Sequence, residues 1–146
     1  MCNDRHVFCL FSDDVRQEIN GKVSLIGIYQ GGMLVGGPVP QFLPRLVISS
    51  YLSTPIDRPL NNLSVDVMLG ASALQNVTPP TQALHEMQNV ALQDAGVKNL
   101  SMQMVFVLQP FMVSGNGKLW VRVRCDGETI DSNALIIKVN DCTLHD

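Results

Sequence analysis

The sequence has few charged and few aromatic residues. Charged residues make up 16% of its 146 positions and aromatic residues 5%, whereas an average soluble protein is about 25% charged. The ten lysines and arginines are scattered along the chain, and the net charge is −3. A nucleic-acid-binding protein needs clustered basic residues, and a platform for sugars or single strands needs several aromatic rings. The composition therefore argues against both classes.

Long apolar runs are also missing. The first run, residues 7–11, is shorter than the roughly 7–15 apolar residues of a signal peptide and the 18 or so of a membrane-spanning helix. We therefore expect a chain made in the cytoplasm, with no membrane partner. In a reducing compartment the four cysteines are expected to remain thiols: Cys2, Cys9, Cys125 and Cys142.

Alternation of apolar and polar residues is the strongest structural signal. In residues 119–125 one parity is apolar and the other carries Arg122 and Arg124, which is typical of a strand with one buried face. Comparable patterns predict seven strands, at residues 7–11, 23–29, 46–53, 63–69, 102–108, 119–125 and 135–139. They also predict a buried core that contains Leu25, Val47, Val65, Val67, Phe106, Val121, Val123 and Ile137.

Turn residues favour antiparallel pairing of these strands. Asn20-Gly21, Asn116-Gly117 and Asp126-Gly127 each fit a tight hairpin, because these residues adopt positive φ angles readily. We expect one domain over residues 1–146, a mainly β fold in the form of a seven- to eight-stranded antiparallel sandwich.

One helix is predicted at residues 81–95. Leu84, Met87 and Ala91 share a face at helical spacing, Thr81 fits the N-cap and Gly96 fits the stop. The glycine- and proline-rich residues 30–44 are predicted to form a long loop, with room for a short strand at residues 33–35.

No motif in the chain predicts catalysis or a cofactor. The glycine pairs at residues 31–32 and 36–37 lack the Lys-Ser/Thr of a phosphate loop. Asp13, Asp14 and Glu18 are interpreted as a solvated hairpin around Arg16, and His85 as a lone surface histidine. Because no acid, base and nucleophile assemble, we expect a protein that is not an enzyme.

The chain ends contain thiols and imidazoles but no standard metal motif. We predict no metal ion. Two alternatives stay open if the ends meet: a Cys2–Cys142 disulfide, and a zinc site with ligands from Cys2, His6, Cys142 and His145. Burial in a strand is sufficient to explain Cys9.

The opening of the chain resembles a family of small bacterial and tailed-phage proteins. The resemblance lies in Asp13-Asp14-Val15-Arg16-Gln17-Glu18, then Gly21-Lys22, then Ser24-Leu25-Ile26-Gly27-Ile28-Tyr29. Residues 54–59 and the Asp126-Gly127 hairpin are also similar. The resemblance implies a β-sandwich, a prokaryotic or phage origin and no particular activity.

Two functions from different classes follow as hypotheses. The first is a structural component of a phage particle, a capsid accessory or decoration protein that binds other virion subunits, further copies of itself included. Low charge and the two-sided apolar strand at Val105 and Val107 favour it. The second is a cytoplasmic binding module that acts on a host protein or small molecule through residues 30–44. The expected contact residues are Gly31, Gly32, Met33, Leu34, Gly36 and Gly37.

Overall fold

The computed structural model describes residues 5–94 and 96–140, and the fold there is mainly β. It contains one α-helix, α1 (Thr81–Leu92), and a short 3-10 helix at Ile19–Gly21. The strands are β1 (His6–Gln17), β2 (Val23–Ile28), β3 (Gly32–Gly36), β4 (Gln41–Leu43), β5 (Leu46–Pro55), β6 (Leu63–Leu69), β7 (Ser72–Val77), β8 (Asn99–Leu108), β9 (Phe111–Val113), β10 (Gly117–Cys125), β11 (Glu128–Asp131) and β12 (Leu135–Asn140). None of the described residues belongs to a helix long and apolar enough to cross a membrane.

Two sheets make up most of the structure. The four-stranded sheet has the order β2-β1-β5-β8, and the six-stranded sheet has the order β3-β12-β10-β6-β7, with β11 also paired to β10. All of these pairs are antiparallel except β3 with β12. Strands β4 and β9 form a separate antiparallel pair.

The inner faces of the two sheets share one hydrophobic core. Phe11, Ile48 and Phe106 of the four-stranded sheet belong to the same buried cluster as Val67 and Val121 of the six-stranded sheet. Every second residue points inward because side chains alternate across a strand. The predicted mainly β sandwich with one helix is confirmed. The described residues form twelve strands rather than seven or eight, and the pair of β3 with β12 is parallel.

The predicted burial is correct at every position except Leu25. Leu25 is only half-buried, because β2 is an edge strand of its sheet. Val47 is fully buried, but it lies outside the core cluster, on the outer face of β5.

The turn predictions have mixed outcomes. Asn20 and Asp126 have positive φ angles of 66° and 49°, as the predicted turns require. The predicted hairpin at Asn116-Gly117 is wrong: neither residue has a positive φ, and β9 pairs with β4 rather than with β10. Instead the Asn116 side chain accepts a hydrogen bond of 2.7 Å from the Val139 N–H.

Several predicted boundaries are also wrong. Residues 30–44 are not one long loop but contain β3 and β4, of which β3 includes the anticipated short strand. Strand β1 continues to Gln17, so residues 13–18 are largely strand and the turn to β2 follows them. Helix α1 begins after Pro80, without a side-chain cap from Thr81, and ends at Leu92, four residues before Gly96.

Candidate functional site

The outer side chains of the four-stranded sheet form three cross-strand rows without a charged residue. In the first row Phe8 lies opposite Tyr51, and Tyr51 lies opposite Gln103. The second row contains Leu10, Ser49 and Val105, and the third contains Ile28, Ser12, Val47 and Val107. We call these side chains the uncharged face.

A compensated ion pair borders one end of the uncharged face. Asp14 of β1 lies across from Arg45, which immediately precedes β5, and their side chains approach to 2.6 Å. The pKa of Asp14 is lowered, first by a hydrogen bond from the Val15 N–H and then by Arg45. At the opposite end of the face His6 is exposed.

The centre of the uncharged face is dry, whereas its outer members are accessible. Ser12, Val47 and Ser49 are 0% exposed, and within residues 5–94 and 96–140 the Ser49 Oγ has no hydrogen-bond partner. Phe8 is 48% exposed and Val107 is 40% exposed. A protein that covers this face therefore displaces water mainly from apolar side chains, which is favourable.

The outer face of the six-stranded sheet is different because it carries several charges. Arg122 binds Asp131 at 2.9 Å and also lies 4.8 Å from the centre of the Trp120 ring. Arg124 binds Asp66 at 3.1 Å. This face has the polar side chains of a solvated surface. On the four-stranded sheet, by contrast, the charges of Asp14 and Arg45 lie at one end, outside the three uncharged rows.

The predicted contact residues around β3 lie in a strand rather than in a free loop. Met33 is 5% exposed and belongs to the core, whereas Leu34 is 72% exposed. Gly31, Gly32 and Gly36 are exposed and Gly37 is half-buried. Of the two apolar members of the predicted set, Leu34 is therefore accessible to a partner and Met33 is not.

Deletion of residues 33–38 therefore removes part of a strand and does not merely shorten a loop. Met33 and Val35 are core residues, and β3 pairs along its length with β12. Such a deletion is expected to destabilise the fold, because it removes buried side chains together with their strand pairing.

The acidic residues of the opening motif have structural partners. Asp13 accepts a 2.7 Å hydrogen bond from the Tyr29 hydroxyl, and burial and this bond raise the pKa of Tyr29 to about 12. Glu18 accepts a 3.0 Å hydrogen bond from the Ser24 hydroxyl. The carboxylate of Asp14 binds Arg45, rather than the expected Arg16.

The two alternatives for the chain ends, a disulfide and a zinc site, lie mostly outside the described residues. Cys2, Cys142 and His145 are not among those residues. Cys9 and Cys125 are buried free thiols, and burial raises the pKa of Cys9 to about 11 and also raises the pKa of Cys125. In residues 5–94 and 96–140, no group of three His, Cys, Asp or Glu side chains is placed to hold a metal ion.

The ionisable groups around a cleft at the β10–β11 turn are engaged in ion pairs. The cleft has a volume of about 370 Å³. Arg124 binds Asp66, while Asp126 and Glu128 bind the buried Arg5 at 3.2 and 3.5 Å. These contacts suit a structural network that joins the start of β1 to the turn.

His85 lies on the exposed side of α1. Its Nε2 is 3.2 Å from the Asn61 Oδ1. This contact fits the interpretation of a surface histidine.

Sequence reasoning found only part of the uncharged face. Val105 and Val107 stand out because β8 is apolar on both parities over these residues. Phe8, Leu10 and Tyr51 join them only through the pairing of β1, β5 and β8, which no local pattern indicates.

Comparison with known protein families shows which family the chain resembles. The model of a family of unknown function (DUF6941) matches residues 7–138 of the chain. No curated protein and no solved structure matches it.

Proposed function

The chain belongs to the DUF6941 family, and we propose that this member is a non-enzymatic structural subunit that binds other proteins of an assembly. The observation that carries the proposal is the uncharged face. Protein interfaces are depleted of charged residues at their centre, and contiguous exposed apolar patches on soluble proteins mark binding surfaces. Phe8, Ile28 and Val107, each at least 40% exposed, are the accessible apolar side chains of this face.

The size of the uncharged face is that of the central part of a protein interface. Four strands about 4.8 Å apart, and side-chain rows about 7 Å apart, give a footprint on the order of 300–400 Å². Patches of about 300–600 Å² are often functional. A standard interface covers about 800 Å² on each partner, so a partner seated here also covers neighbouring surface.

The assembly that we propose is a phage particle, in which the protein is a capsid accessory or decoration subunit located in the virion. The resemblance of residues 8–29 to bacterial and tailed-phage proteins supports this choice. The low charged fraction of 16% supports it as well, because a subunit covered by neighbours needs less charge for solubility than a free monomer does.

Sedimentation of the tagged protein from its native host tests the proposal. Wild-type protein is expected in fast-sedimenting fractions, whereas Phe8→Asp, which places a carboxylate in the uncharged face, is expected to remain with free protein. Gln75→Asp is the matched control, because it adds the same charge at an exposed position of β7 in the other sheet.

Three outcomes are decisive for this experiment. Identical sedimentation of all three proteins contradicts the role of the uncharged face. A wild-type protein found only in the slow fractions contradicts the assembly itself and favours the binding-module alternative. Mass spectrometry of the fast fractions tests the phage particle, which is wrong if the co-sedimenting proteins are not virion proteins.

A further inference from the structure

Strand β8 is an edge strand that lacks the usual protection against pairing. It closes one side of the four-stranded sheet. Its ten residues, Asn99–Leu108, include no charged residue, glycine or proline. Natural edge strands are normally shielded by charges, prolines, bulges or covering elements, because their free backbone groups pair with other strands.

The other edge strands of the two main sheets are interrupted or charged, and β11 carries Glu128 and Asp131. Gly27 of β2 has a φ of 70°, and β3 begins and ends with glycine. The pairing of β7 with β6 has a register shift at Val67. Strand β8 thus stands apart as a regular edge among the described strands.

The register shows which backbone groups of β8 point to the open side. Ile56 N–H donates to the Lys98 carbonyl at 3.0 Å. Antiparallel pairs alternate between those that exchange hydrogen bonds and those that do not. Counted in steps of two from the bonded pair of Ile56 and Lys98, Met102, Met104 and Phe106 form hydrogen-bonded pairs with β5. The backbone N–H and C=O groups of Gln103, Val105 and Val107 therefore point away from β5, at the open edge.

Helix α1 limits the accessible part of this edge. Its residues Met87, Gln88 and Ala91 line a small cavity together with Leu100 and Met102 of β8. The first part of β8 thus lies beside the helix, and the part from Gln103 to Leu108 extends beyond that contact.

We propose that two copies of this protein pair antiparallel through residues 103–107 of β8, around a two-fold axis at Val105. Val105 then lies opposite the same residue of the second copy, and Gln103 lies opposite Val107 in both directions. The outward groups of these residues make about six intermolecular backbone hydrogen bonds. The two four-stranded sheets become one eight-stranded sheet.

A second copy fits this edge because the contact is self-complementary. A two-fold axis brings the same surface of each copy together, and no like charges meet, because residues 99–108 are uncharged. The outer rows also continue across the axis, since Val105 and Val107 belong to the uncharged face. The inference goes beyond the proposed function, because it depends on the edge of β8 and not on a partner that covers the face.

Analytical ultracentrifugation of the purified full-length protein over a range of concentrations tests the pairing. Wild-type protein is expected to form a dimer. Val105→Pro is expected to sediment as a monomer, because proline removes an outward N–H while the hydrogen bonds to β5 remain. Val105→Thr is the matched control: it keeps the backbone donor and the branched shape, so it is expected to remain dimeric.

A second variant covers the case in which proline disturbs the fold. Val107→Lys leaves the backbone intact and places a lysine opposite each Gln103, two residues from the axis. Charged residues on an edge strand oppose pairing, so dimerisation is expected to weaken at least tenfold. Circular dichroism checks the fold of each variant. A monomeric wild-type protein overturns the inference, as do dimers that are unchanged in both Val105→Pro and Val107→Lys.

Phe8→Asp separates this inference from the proposed function. It changes the uncharged face far from the edge, on β1, and is expected to leave the dimer intact. Loss of the dimer in Phe8→Asp but not in Val105→Pro shows that copies associate through the face, which also overturns the pairing of β8.

Discussion

Gly27 and Asp13 are packed so closely that a methyl group at position 27 changes the stability of the protein. A Cβ at Gly27 lies 2.4 Å from the Asp13 Oδ2 and 3.0 Å from its Cγ. The Asp13 carboxylate must therefore move, and its movement breaks the hydrogen bond from the Tyr29 hydroxyl. In addition, Gly27 has a φ of 70°, which L residues adopt at a cost.

The expected destabilisation of Gly27→Ala is the sum of two effects. The positive φ costs about 1–2 kcal/mol, and the lost hydrogen bond costs about 1 kcal/mol. The free energy of unfolding is therefore expected to fall by about 2–3 kcal/mol. At about 2–4 °C per kcal/mol for a protein of this size, the melting temperature falls by about 4–12 °C.

A double-mutant cycle tests the steric reasoning. Asp13→Ala alone is expected to cost about 1 kcal/mol, through the lost hydrogen bond. In the double variant this bond is already absent and the methyl group meets no carboxylate, so the combined loss is expected to be about 1 kcal/mol smaller than the sum of the single losses. Urea unfolding of the four proteins gives these values, and additive losses refute the contact.

Three further changes have defined expectations. Arg5→Met is expected to lower the free energy of unfolding, measured with urea, by about 2–3 kcal/mol. This value is at the low end for buried ion pairs, because the Asp126 and Glu128 side chains are 22% and 30% exposed. An unchanged free energy of unfolding contradicts the stabilising role of the ion pairs. Val123→Ala is expected to cost roughly 2–4 kcal/mol by the same assay, because Val123 is 0% exposed, and an unchanged melting temperature contradicts its place in the core. Because the pKa of Cys9 is about 11 in the folded state against about 9 unfolded, its thiol contributes stability that is fully present below pH 9 and is lost as the pH rises towards 11. Between pH 8 and pH 10, the urea midpoint is expected to fall more in wild-type protein than in Cys9→Ala. An equal fall in both proteins contradicts the raised pKa of Cys9.

The sequence predicts the parts of this fold that depend on local pattern. Val121, Val123 and Ile137 alternate with polar residues, and each is buried. The end of β1 could not be found in the same way, because residues 12–14, Ser-Asp-Asp, have the composition of a polar turn. Asp14 lies in a strand because it pairs with Ile26 of β2, and its side chain binds Arg45, 31 residues away. Neither contact has a signal in residues 12–14 themselves.

Two further differences also arise from tertiary contacts. The glycines around Met33 and Val35 indicate a loop, but parallel pairing with β12 extends this segment into a strand and buries both side chains. The uncharged face is likewise assembled from separate segments. Its valines in β8 can be noticed in the sequence, whereas the placement of Phe8 beside Tyr51 follows from register alone.

The central claim is that the uncharged face is covered by protein in the assembly, and cysteine labelling measures this directly. Phe8→Cys and Gln75→Cys variants are treated with a maleimide, free and in the assembly, and labelled sites are read by peptide mass spectrometry. Both positions are exposed in the free chain, so both are expected to react there. In the assembly, we expect position 8 to be protected and position 75 to react as before. Equal labelling of position 8 in the free and the assembled protein contradicts the claim.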